Sequence, residues 1–82
     1  MAKLLYFAAL VDKLGSTSEE AALPAAVTDI RALLVWLRAR GENWERALAE
    51  NAVQVTVNRQ FAVPETKIDN TCEIALVSTR RG

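Results

Sequence analysis

The chain has 82 residues, 51% of them apolar and 24% charged, and its ten basic and ten acidic residues cancel to a formal charge of zero. That length makes one small domain and not two, and it buries only roughly 60–65% of the surface its unfolded form exposes. Charge balance argues against a protein held mainly by nucleic-acid phosphates, and the absence of histidine removes the commonest general base and metal ligand.

The first segment, Lys3-Leu4-Leu5-Tyr6-Phe7-Ala8-Ala9-Leu10, is apolar and free of breakers, which predicts a buried strand. Tyr6 and Phe7 point to opposite faces of such a strand, one inward and one outward. Gly15 with Ser16-Thr17-Ser18 marks a turn. Glu19-Glu20-Ala21-Ala22-Leu23-Pro24 is then read as a second, weaker strand, confined by Pro24 to an edge or an end. The strongest signal is a helix over Asp29 to Arg40. Thr28 is its expected N-cap, Asp29 favours the first turn, and Ile30, Leu33, Leu34 and Leu37 form one apolar stripe. Gly41 is the expected C-cap. A shorter helix over Asn43 to Glu50 carries Trp44, Ala47 and Leu48 on one side.

From Val53 the period changes to two. Val53, Val55 and Val57 alternate with Gln54, Thr56 and Asn58 as a half-buried strand. Phe61, Val63 and Ile68 are short extended pieces around Pro64, and Glu73-Ile74-Ala75-Leu76-Val77 is the final strand. One helix on one face of a mixed sheet buries these apolar faces together, an α+β arrangement. The domain spans residues 1–77. Residues 78–82, Ser78-Thr79-Arg80-Arg81-Gly82, read as a polar, doubly positive tail.

No apolar run approaches the ~20 residues of a membrane span. With no cleavable leader evident at Met1 to Leu10, the expectation is a cytoplasmic protein without membrane or nucleic-acid partners. Cys72 alone permits neither an internal disulfide nor a zinc site, and a lone cysteine beside a strand reads as a packed residue. Trp36 lies off the main helical stripe and is a candidate partner-facing aromatic; Trp44 reads as core. No base, nucleophile pair or metal cluster can be assembled from these residues, which argues against an autonomous enzyme.

Several stretches, in order, resemble the molybdopterin synthase small subunit. Lys3-Leu4-Leu5-Tyr6-Phe7-Ala8 and Asp12-Lys13-Leu14-Gly15 look like its opening strand and turn. Thr28 through Gly41, with Trp44 beyond, is similar to its helix and the segment after it. Val55-Thr56-Val57-Asn58, Ile68 and Glu73-Ile74-Ala75-Leu76 look like its C-terminal half. The resemblance implies a β-grasp (ubiquitin-like) fold and a sulfur-carrier role in molybdenum cofactor biosynthesis. It implies that Gly82 is adenylated with ATP by a ubiquitin-activating-type partner and converted to a thiocarboxylate. The tail then delivers sulfur to a pterin precursor inside the large synthase subunit. The chain would thus be a non-catalytic small subunit that binds no cofactor itself, ATP being used by the adenylating partner.

Under this reading Gly82 is the reacting residue, and Arg80, Arg81, Phe7 and Val77 contact partners. The family typically ends in a Pro-Pro step and a Gly-Gly pair, whereas here the penultimate residue is Arg81, and Asn70-Thr71-Cys72 replaces an Asp-Gly-Asp type turn. A β-grasp interaction module or degenerate paralogue that docks a partner without transferring sulfur therefore stays open. So does the related carrier for thiamin thiazole synthesis, although such chains are usually shorter and lack a segment like Asn43 to Glu50.

Overall fold

Strict alternation of inward and outward side chains organises the first and last strands of the sheet. The computed structural model describes residues 1–49 and 52–79. Its elements are β1 (Ala2–Phe7), α1 (Ala9–Leu14), β2 (Ser18–Ala21), α2 (Ile30–Arg38), α3 (Glu42–Ala47), β3 (Val53–Val57), β4 (Gln60–Phe61) and β5 (Glu73–Ser78). The five strands form one sheet in the order β2-β1-β5-β3-β4. β1 and β5 run parallel at its centre, with Leu5 beside Ala75 and Phe7 beside Val77. The other pairings are antiparallel. This is the mixed-sheet α+β arrangement expected from the sequence.

One face of the sheet carries the core. Leu4 and Tyr6 of β1, Val55 of β3, and Ile74 and Leu76 of β5 pack with Leu10, Ile30, Leu33, Leu34, Leu37, Ala47 and Leu48 from the helices. Removing a fully buried leucine from such a cluster costs about 2–5 kcal/mol. The apolar stripe of α2 is therefore what fixes this helix to the sheet.

Four local expectations are corrected. Ala9 and Leu10 do not prolong the first strand; they begin α1, and Gly15 caps that helix with φ 70°. A short apolar run has no period that separates strand from helix, and here the fold takes the helix. Thr28 is not the N-cap of α2. Asp29 is, its side chain accepting the Ala32 N–H at 2.8 Å. The Thr28 carbonyl instead accepts the Ile68 N–H at 3.0 Å, and Asp29 bridges Lys67, so the backbone stays extended one residue longer. Nor is Gly41 the C-cap of α2: that position is Ala39, and Gly41 caps the start of α3. Finally, β5 runs through Ser78, one residue into the stretch read as tail. Glu50, the expected end of the second helix, lies outside the described residues.

Two turns hold backbone with positive φ without glycine. Asn58 (φ 51°) and Arg59 (φ 70°) join β3 to β4, the conformation a two-residue hairpin turn of the primed type needs. Asn58 suits it, and its side-chain Oδ1 also accepts the Glu73 N–H at 2.9 Å. Ala8, between β1 and α1, has φ 57° and ψ −137°, a region that favours glycine. Relief of that strain should make Ala8→Gly more stable by about 1 kcal/mol. A raised denaturation midpoint at unchanged slope is the expected result, checked by urea titration.

Candidate functional site

The two faces of the sheet differ in what covers them. Opposite the core, β1 presents Lys3, Leu5 and Phe7, β5 presents Glu73, Ala75 and Val77, and β3 presents Gln54 and Thr56. The register sets Leu5, Ala75, Thr56 and Phe61 in one row across the sheet, and Phe7, Val77 and Gln54 in the next. Phe7 is 46% exposed and Phe61 is 85% exposed. Two phenyl rings left in water on a face that also holds Leu5, Ala75 and Val77 mark a surface suited to a partner. The alternation expected at Tyr6 and Phe7 holds: Tyr6 is inside and Phe7 is on this open face.

The end of β5 lies at the same margin of that face. Phe7 and Val77 are neighbours on adjacent parallel strands, so these two sequence-derived contact residues are brought together. Beyond them, Ser78 pairs with Val53, and the Thr79 N–H donates to the Ala52 carbonyl at 2.9 Å. Arg80, Arg81 and Gly82, the other candidate residues, lie outside the described residues.

The helix side carries a polar cluster that sequence reasoning missed. The Tyr6 hydroxyl donates to Glu19 Oε1 at 2.5 Å, and Arg40 donates to both Glu19 oxygens at 2.6 and 3.2 Å. The Arg40 guanidinium also lies 5.1 Å from the Trp36 ring centre and 4.7 Å from that of Trp44. Trp44 meets Tyr6 edge to face at 5.8 Å. The cluster binds β2 to the end of α2 and the start of α3, which is how it contributes to the fold. Its members are 13 and 21 residues apart along the chain, so no local motif announces them.

Burial, and then Glu19, push the Tyr6 phenol well above its ordinary range. Burial alone would raise Glu19, but hydrogen bonds from Arg40 and Tyr6 outweigh it and hold the carboxyl below its ordinary value. The bond that Arg40 donates to Glu19 in turn raises Arg40. A phenol held protonated and a carboxylate held ionised and paired are not poised as acid and base. The assembly is a latch. Trp36 and Trp44 are both half-buried, and both stack on Arg40 as part of it.

Cys72 is buried, with Sγ 3.5 Å from Asp69 Oδ1, in keeping with a packed role. Among the described residues no group of histidine, cysteine, aspartate or glutamate could hold a metal ion. No described helix is long and apolar enough to cross a membrane.

A five-stranded mixed sheet with a central parallel first and last strand, and its helices packed on one face, defines a β-grasp domain. The ThiS family model matches residues 4–82, and the chain belongs to the ThiS family. That membership supports a sulfur-carrier role in biosynthesis. A solved structure described as a molybdopterin converting factor, subunit 1, from Pyrococcus furiosus has the same fold. It superposes with a TM-score of 0.75 over 94% of each chain, at 20% identity. A comparison with curated proteins gives no match.

The latch makes stability depend on pH with a definite sign. Glu19 is held below its ordinary value of 4.5 in the folded chain, so its contribution is complete above that value and is lost as pH falls through the folded one. Urea midpoints measured from neutral pH downward should therefore fall in the acid range. Glu19→Gln should flatten that part of the profile, and Glu19→Ala should cost about 1–3 kcal/mol at neutral pH.

Proposed function

We propose that the chain is the sulfur carrier of molybdenum cofactor biosynthesis and acts through the carboxylate of Gly82. The observation that supports this most is the position of β5. The strand leading toward Gly82 lies at the centre of the sheet, and its Val77 borders an open apolar face with Phe7 beside it. A partner seated on that face is close to the end of β5. The family match extends to Gly82 itself, and the fold is that of a protein described as subunit 1 of a molybdopterin converting factor. The segment containing α3, unusual in thiazole-synthesis carriers, favours the molybdenum pathway.

The chemistry asks little of the carrier beyond a reachable carboxylate. In an adenylating partner of the ubiquitin-activating type, a Gly82 carboxylate oxygen attacks the α-phosphorus of ATP and pyrophosphate leaves. A sulfide-level nucleophile attacks the acyl carbon, AMP leaves, and the thiocarboxylate is formed. In the large synthase subunit the thiocarboxylate sulfur attacks an electrophilic carbon of the pterin precursor and displaces an oxygen substituent there, and water then cleaves the acyl–sulfur bond, which returns the carboxylate and leaves the sulfur on the pterin as a thiol. The partners supply the catalytic groups. Without a Cβ, glycine passes a narrow channel and takes backbone conformations closed to other residues. Arg80 and Arg81 pair with carboxylates lining such a channel, where guanidinium is the better bidentate donor.

One sequence feature favours a second reading. Arg81 stands where carriers typically have glycine, which suits a module that docks on the same face and transfers nothing. Intact mass after incubation with the adenylating partner, ATP and a sulfur donor separates the two. The carrier reading expects exchange of one oxygen for sulfur, abolished when Gly82 is deleted. If the parent chain stays unmodified while Arg81→Gly with one added glycine is converted, the docking module is the correct reading.

The open face makes its own prediction. Phe7→Ala should weaken binding to the large subunit roughly tenfold or more, the loss expected of a buried aromatic anchor. Calorimetric titration of the two subunits measures it, and unchanged affinity would move the interface elsewhere.

A further inference from the structure

The open face of the sheet is charged at one margin and apolar at the other. Where β1 begins, Lys3 lies between Glu20 of β2 and Glu73 of β5. The next row on this face sets Leu5 beside Ala75, and the last sets Phe7 beside Val77. Along the two central strands, β1 thus presents a cation, a leucine and a phenylalanine, while β5 presents an anion, an alanine and a valine. In every row the β1 residue is opposite in charge to its β5 neighbour, or larger. Among the described residues neither Lys3 nor Glu73 takes part in an ion pair, so both charges are available across the face.

We propose that this face pairs with a second copy of itself, about a two-fold axis that runs along the strands between β1 and β5. Such an axis lays β1 of one copy over β5 of the other and keeps each row at the same height. Lys3 then faces Glu73 of the second copy, Leu5 faces its Ala75, and Phe7 faces its Val77. Symmetry makes each of these contacts twice. Large side chains meet small ones, as two sheets packed about 10 Å apart require. An axis running across the strands would instead lay the charged row on Phe7 and Val77, taking unpaired charge out of water. The pattern therefore selects the first axis. A formal charge of zero leaves no net repulsion between copies. Five strands ~4.8 Å apart, with six residues in each central strand, give a face roughly 20 Å on a side. That is at the small end of specific interfaces, so the dimer is weak and exchanges readily. It covers Phe7 and Val77, and so it competes with any other partner for this face. The pairing depends on the register of β1 and β5 alone and holds whether or not the chain carries sulfur.

Sedimentation equilibrium of the full chain at low salt, from about 1 μM to about 1 mM, tests this without any substitution. The mean mass should climb from that of one chain toward that of two. A mass that stays at one chain overturns the proposal and leaves the face to a different partner. A mass that climbs past two chains overturns it as well, because a closed two-fold interface stops at two. Lys3→Glu and Glu73→Lys should each weaken self-association at least about tenfold, since each sets like charges face to face. Mixed in equal amounts, the two variants should regain the association of the parent, because only opposite charges then meet across the mixed dimer. A substitution that merely loosens its own sheet is not mended by a second chain. Failure of the mixture to associate, or parental association of either variant alone, would refute the pairing.

Discussion

Everything about this molecule hangs on the parallel pairing of its first and last strands. β1 and β5 are separated in sequence by all the other elements, and they pair in parallel at the centre of the sheet. Leu4, Tyr6, Ile74 and Leu76, which this pairing brings together, are almost wholly removed from water. Because successive residues of a strand face opposite ways, the same register that buries these four turns Phe7 and Val77 outward side by side. A shift by one residue would exchange the two sets, exposing the core residues and turning Phe7 and Val77 inward. Stability and the candidate interface are thus one constraint seen from two sides.

The polar cluster on the helix side holds the elements together. β2 is a four-residue edge strand of mostly polar residues, and beyond its pairing with β1 the Tyr6–Glu19–Arg40 bonds hold it to the helix side. Arg40 is stacked on two indoles, so the charge that satisfies Glu19 is itself held in place. This division leaves the open face and the end of β5 as the parts free to meet partners.

Much of this was legible in the residue order, and the exceptions have physical causes. The stripe Ile30, Leu33, Leu34 and Leu37 and the alternation Val53, Val55 and Val57 are local signals, and both elements form where those patterns lie. The helix at Ala9–Leu14 was hidden because a run of apolar residues has no period of its own. Thr28 and Asp29 are both good caps in isolation, and a distant segment at Lys67 and Ile68 chose between them by holding the backbone extended. The latch was invisible for the same reason, being made of residues that only the folded chain brings together. At the site, the outward position of Phe7 was legible from strand alternation, whereas its pairing with Val77 and the Thr79–Ala52 bond follow only from the folded register.

The most direct measurement is the register of the central pair, read from nuclear Overhauser contacts in solution. The account predicts contacts between Phe7 and Val77 and between Leu5 and Ala75, with the Phe7 ring showing none to the leucines of α2. Contacts that pair β1 and β5 antiparallel, or shift them by one residue so that the Phe7 ring meets Leu33 or Leu37, would contradict it.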